Sequence, residues 1–202
     1  MATRPVLQFK ITLREIESPI WRRIQLSDLC SFWDLHVAIQ DVMGWTDSHL
    51  HEFTVYNPVT TEREHIGIPH SEDGLYTVLE GWRLNVRDYV ALPSNHIVFY
   101  LYDFGDNWEH LIEFEGKFEK QPNVKYPLCI DGERACPPED VGGSSGYEHF
   151  VEAITTQRHP DRKDLLQWVG GKYDPNYFDP NKVKFDNPTK RWKNAFEREG
   201  AI

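Results

Sequence analysis

The sequence predicts an α+β fold: a mostly antiparallel sheet followed by packed helices. Period-two apolar runs dominate the first half of the chain and helix-period runs the second. Between them a glycine-centred turn joins two alternating segments into a central hairpin. At 202 residues the chain suits one domain. A chain of this size buries about 70% of the surface its unfolded form exposes, so it needs neither disulfide nor metal for stability.

The elements follow in order. VLQFKITLREI alternates, with Leu7, Phe9, Ile11 and Leu13 on one face of a half-buried strand. IWRRIQL, after Pro19, is a second strand. SFWDLHVAIQDVMGW is a helix: Ser31 with Asp34 forms its capping box, Leu35, Ala38, Ile39 and Val42 its apolar stripe, and Gly44 its end. HLHEFTVYN returns to period two, placing His49, His51, Phe53 and Val55 on one face. Residues 57–81 hold one or two short strands among Pro, Gly and acidic residues, and NVRDYVAL gives a helical turn or two.

The central hairpin is IVFYLYD joined to the strand beginning at Trp108. Gly105-Asp106 puts glycine first, as a two-residue type II′ turn requires. In that register Asp103 faces Trp108, Leu101 faces His110 and Phe99 faces Ile112. Asp103 and His110 then share a face as diagonal neighbours. Downstream, YPLCIDGERACPPEDVGGSSG is a loop, and Ser145 with Glu148 caps a helix carrying Tyr147, Phe150, Val151 and Ile154. A further helix starts at Pro160 and stops at Gly170-Gly171. Asp179-Pro180 and Asn187-Pro188 each pair an N-cap with proline at the first helical position.

HLHEF, YLYDFGDNWEHLIEFE, CIDGERACPPEDVGGSSGYEHF and YFDPNKV together resemble the plasmid pRiA4b ORF-three-like family. The resemblance implies a compact α/β roll over residues 1–183; the basic stretch 184–202 lies outside it and is expected to be a helical extension packed on the same domain. Family members are often labelled passenger proteins of mobile elements, sometimes TnpR. The resemblance brings no activity, and the chain has neither a separate helix-turn-helix nor a catalytic serine with supporting arginines.

Charge and composition narrow the function. A net charge of −10 argues against broad binding to nucleic acid, which needs clustered cations. The C-terminal stretch does carry Lys182, Lys184, Lys190, Arg191, Lys193 and Arg198, a solvated helical face or a contact for an acidic partner. Three unpaired cysteines, no apolar leader and no membrane-length segment place the expectation at a soluble cytoplasmic protein.

The candidate ligand or partner-binding cluster is His49, His51, Asp103, Trp108, His110, Glu139 and Asp140. Within it His49, His51, Asp103 and His110 could hold zinc or another divalent ion if the two strand faces meet. The competing reading has these histidines bonded to core carbonyls or carboxylates. Trp108 and Tyr102 either line a pocket or pack across the hairpin. Cys136 beside Pro137-Pro138 has the setting of a nucleophile, against the plainer reading of an inert loop cysteine. Two functions follow: a binding or accessory protein with a protein partner, or with nucleic acid through the basic C-terminus, and a metal-dependent hydrolase or nuclease. The second would use Glu139 or Asp140 as general base.

Overall fold

The computed structural model describes residues 4–69, 76–90 and 96–197. The strands are β1 (Val6–Leu13), β2 (Ile20–Ser27), β3 (His51–Tyr56), β4 (Arg63–Gly67), β5 (Val78–Glu80), β6 (Ile97–Tyr102), β7 (Trp108–Phe118) and β8 (Leu128–Glu133). The helices are α1 (Phe32–Met43), α2 (Arg87–Val90), α3 (Gly143–Thr155), α4 (Arg162–Trp168) and α5 (Pro188–Phe196), with a 3-10 turn at Pro180–Lys182. One eight-stranded sheet runs β5-β4-β3-β6-β7-β1-β2-β8. Every pairing is antiparallel except β4 with β5. The α+β class predicted from the sequence is the observed one.

The alternation in β1 places Leu7, Phe9, Ile11 and Leu13 in the core. Lys10 and Thr12, on the opposite face, stay half-buried. A row of paired residues crosses the sheet on the inner side, from Phe53 through Tyr100 and His110 to Leu13 and Ile20. Helix α1 contributes Phe32, Leu35, Ile39 and Val42 to the same core. Its start is the expected capping box: Ser31 Oγ accepts from Asp34 N–H, and the Asp34 carboxylate accepts from Ser31 N–H. Such a cap stabilises by about 1 kcal/mol. Gly44, at φ 84°, ends the helix as predicted.

The last carbonyls of α1 meet Arg22, a fully buried guanidinium from the middle of β2. Its Nε donates to Val42 O at 3.0 Å, and Nη1 donates to Trp21 O and Glu133 O, each at 2.8 Å. The Phe178 ring lies over it at 3.7 Å. Arg22 thus ties the carbonyl-rich end of α1 to β2 and β8, a favourable place for a cation.

The hairpin register differs from the sequence expectation. The strands pair Tyr102 with Trp108, Tyr100 with His110 and Val98 with Ile112. The connection is five residues, Asp103 to Asn107, closed by Asn107 N–H donating to Asp103 O at 2.7 Å. Asp103 (φ 56°) and Asn107 (φ 58°) take the left-handed conformation, and Gly105 does not. Asp103 Oδ1 accepts from Gly105 N–H and Asp106 N–H. This Asx arrangement replaces the type II′ turn. Consequently Tyr100 and Tyr102 point into the core, while Phe99 is 40% exposed. Burying two tyrosine rings outweighs burying Leu101 and Phe99, and YLY alternates equally well either way.

Two helix starts also move. Helix α3 begins at Gly143 after a Gly142 N-cap without a side-chain bond, so Ser145 and Glu148 form no capping box. Helix α4 begins at Arg162 rather than Pro160. Both proline-marked starts near the C-terminus are observed: Asp179 accepts from Asn181 N–H, and Asn187 accepts from Lys190 N–H. Helix α5 sits on α1, where Trp33 Nε1–H donates to Pro188 O at 2.9 Å. Arg191 binds Asp41 at 2.7 Å and Asp186 at 2.6 Å. Its charge is therefore internal rather than part of a basic face, and Arg198 lies outside the described residues.

Gly132 of β8 lies beneath Phe178: a Cβ there would stand 2.5 Å from the ring and 2.9 Å from Trp21 O. Gly132→Ala is expected to lower the unfolding free energy by about 1–3 kcal/mol, as overpacking does. Urea denaturation gives the value, and a loss within error of zero would mean that Phe178 is not held there.

Candidate functional site

Three connections converge at one end of the sheet: the α1–β3 segment (residues 44–50), the β6–β7 turn (103–107) and the β8–α3 loop (134–142). Bonds between them are numerous. Trp45 Nε1–H donates to Pro137 O at 3.0 Å. Glu139 accepts from Thr46 N–H at 3.0 Å and from the Tyr102 hydroxyl. Tyr102 Oη in turn accepts from Ser48 N–H at 3.1 Å, and Asp106 Oδ2 accepts from Gly142 N–H at 3.1 Å. Burial works against the Glu139 charge, but the bonds from Thr46, Tyr102 and Ser48 outweigh it and hold the carboxyl below its ordinary range.

His49 lies where these segments meet. Its Nε2 is 2.9 Å from Asp140 Oδ1 and 3.5 Å from Asp103 Oδ2. The three side chains each offer a ligand atom within 4.8 Å of the others. Both carboxylates stand on backbone in the left-handed region, Asp103 at φ 56° and Asp140 at φ 59°. Asp tolerates that conformation better than most residues, at some cost in strain. His49 is partly exposed and Asp140 largely so, which leaves one side of the group open to solvent.

A second group lies beneath it. His36 Nε2 is 2.8 Å from Asp47 Oδ1, and the His51 ring stacks on His36 at 3.5 Å. His36 Nδ1 is 2.9 Å from Tyr100 Oη, and Gln40 Nε2–H donates to that oxygen at 3.0 Å. The Gln40 amide is oriented by its Oε1, which accepts from Asp47 N–H at 3.2 Å. The sense of the chain follows: Gln40 donates to Tyr100, Tyr100 to His36, and the remaining His36 N–H to Asp47. Burial keeps His36 and His51 neutral, with pKa values well below the ordinary range. Desolvation pushes the Asp47 carboxyl up to about 6, against the pull of His51 and Arg191.

The metal set expected from the sequence is therefore divided. His49 and Asp103 join Asp140, His51 joins His36 and Asp47, and His110 joins neither. Asp103 and His110, expected side by side, turn apart: His110 Nδ1–H donates to Trp108 O at 2.9 Å inside an aromatic cluster with Trp45 and Tyr100. Trp108 is buried against Trp45, as packing rather than as an open pocket wall. Cys136 is buried too, and burial pushes its thiol up to about 12, unlike a poised nucleophile.

Sequence reasoning missed His36, Asp47 and Tyr100, and read Arg191 as part of a basic face rather than as a partner of Asp41, Asp47 and Asp186. One signal was available. Trp33, His36 and Gln40 fall on the buried side of α1, and polar residues at core positions mark a hydrogen-bonded network.

The fold and this double histidine–aspartate arrangement define an α+β protein whose polar site is built from loops at one end of a single sheet. The chain belongs to the plasmid pRiA4b ORF-3-like protein family, whose model matches residues 5–182. It is 32% identical over 198 residues to "Uncharacterized protein y4hQ" of Sinorhizobium fredii (strain NBRC 101917 / NGR234), covering 96% of this chain and 97% of that one. It is also similar to the crystal structure of a "Protein of Unknown Function MM3350 from Methanosarcina mazei Go1". That likeness has a TM-score of 0.82 at 38% identity, over 91% of this chain and 100% of the other. Among the described residues, no helix is long and apolar enough to cross a membrane.

The buried histidines predict how stability depends on pH. His110 titrates at about 4 when folded, against 6.5 for an unburied histidine. Between those values the unfolded chain binds a proton that the folded chain excludes, so stability falls as pH is lowered through this window. His36 and His51 act in the same direction. Asp47 acts oppositely, since the folded chain keeps its proton up to about pH 6 and loses stability as pH rises to that point. Three histidines outweigh one aspartate. His110→Leu should remove on the order of 3 kcal/mol of the acid-side loss. Urea titrations at stepped pH check this, and an unchanged acid slope would refute it.

Proposed function

We propose that this protein is a binding or accessory protein whose ligand site is a divalent-cation centre formed by His49, Asp103 and Asp140. The observation that supports this reading is the convergence of one imidazole and two carboxylates within 4.8 Å, both carboxylates on left-handed backbone. Two carboxylates and a neutral imidazole balance the charge of a divalent ion. Their mixed oxygen and nitrogen set suits zinc, manganese or iron. Open coordination positions on the Asp140 side are where a partner's acidic group would join the ion.

A metal-dependent hydrolase is the second reading, favoured by that same open side. It is the weaker of the two because Glu139, one of the two expected general bases, already accepts from Thr46 and from Tyr102, and the other, Asp140, belongs to the ligand group itself. We further propose, on the family resemblance, an association with mobile elements and a cytoplasmic setting. A protein partner fits better than nucleic acid, because Arg191 of the basic segment is spent on Asp41 and Asp186.

Asp103→Asn separates charge from turn geometry. Asparagine keeps an oxygen for Gly105 N–H and Asp106 N–H and tolerates the left-handed backbone, so the fold should be retained. Elemental analysis of untagged protein purified without chelator, then reloaded with zinc, manganese or iron, should find one equivalent in the wild type. The variant should bind at least roughly tenfold more weakly, because one charged ligand is gone. Substoichiometric metal in the wild type under every loading condition would end the proposal.

A further inference from the structure

A second feature lies at the C-terminal end of α1, where Val42 O meets Arg22. Arg22 is only 1% exposed, yet no carboxylate pairs with it among the described residues. The titratable groups that act on its charge are Cys136, Cys129, Tyr173 and Tyr147, and burial raises the pKa of each and favours its neutral form. Three backbone carbonyls take Nε and Nη1, and Phe178 covers the flat face of the guanidinium. Nη2, with two N–H groups, has no acceptor among the described residues. The carbonyl end of α1, roughly half an elementary charge, and the Phe178 ring offset part of the charge, and no carboxylate among the described residues neutralises it.

Arg22 forms part of the wall of an open cleft of about 520 Å³, which Cys136, Phe178, Lys182 and Lys184 also line. Two carboxylates border the same cleft, and both are engaged. Asp41 accepts from Arg191 and from Asp186 N–H, and Asp179 accepts from Asn181 N–H. Lys182 donates to the Tyr177 hydroxyl. Lys184 makes no ion pair among the described residues. The cleft therefore combines an unspent guanidinium edge in its wall with a free ammonium at its rim. A guanidinium held flat beneath an aromatic ring, with Nη2 left without a bond, can recognise planar or tetrahedral oxyanions.

We propose that Arg22 and Lys184 bind the oxyanion group of a small ligand, a phosphate or a carboxylate, in this cleft. The YFDPNKV stretch then has a role: it supplies Phe178, which fixes the guanidinium, and the backbone that carries Lys182 toward Lys184. The site is independent of the metal reading, so either can fail alone.

Isothermal titration of the full chain with inorganic phosphate, and separately with malonate, tests this. At least one probe should bind saturably, and the tighter one identifies the group. Lys184→Glu, a change at the rim, should weaken that probe by roughly tenfold or more while leaving urea unfolding unchanged. Arg22→Lys keeps the charge but loses the planar guanidinium and its Nη2, and should abolish binding if the variant folds. No heat from either probe at about 10 mM, or equal affinity in Lys184→Glu, would overturn the proposal.

Discussion

The pairing of Tyr102 with Trp108 is the constraint on which the site end of the molecule depends. It turns both tyrosines inward and leaves five residues to reverse the chain. Asp103 must therefore adopt left-handed backbone to begin the turn, and its side chain is drawn back over the turn amides. One carboxylate oxygen is spent there and the other faces His49. The same register places Tyr100 where its hydroxyl meets both Gln40 and His36. A slip of one residue would dissolve both polar groups together, because every side chain would change face.

Left-handed backbone recurs in both histidine groups. Asp47, Asp103 and Asp140 all have positive φ, and all three supply carboxylates to the paired histidine groups. Each costs backbone energy that an ordinary loop residue would avoid. Cross-loop bonds hold the conformations in place: Glu139 to the 44–50 segment, Asp106 to the start of α3, and Gln40 to Asp47. The loops are thus preorganised by their neighbours rather than by their own propensity.

The deeper group has a structural side as well. The His36 and His51 rings lie parallel and in contact, so their in-plane lone pairs run side by side rather than converging on one ion. Arg191 also stands 3.8 Å from Asp47, adding positive charge where a cation would sit. These features suit a buried network that anchors α5 to α1, and they make the shallower His49 group the better metal candidate.

The sequence by itself determined the class, the buried face of β1, and α1 from its capping box to Gly44. These rest on local periodicity and on side chains that bond their own backbone, so nothing distant can change them. His49, Asp103 and Asp140 were legible as polar residues in turn-rich stretches, each expensive to bury alone. They were expected within one larger cluster, but neither which of its members meet nor the separation of His51 and His110 from them was legible. Three segments far apart in sequence had to be packed before any distance between them existed. The hairpin register was likewise a tertiary decision: YLY alternates equally well in both phases, and only the aromatic core on one side of the sheet chose Tyr100 and Tyr102.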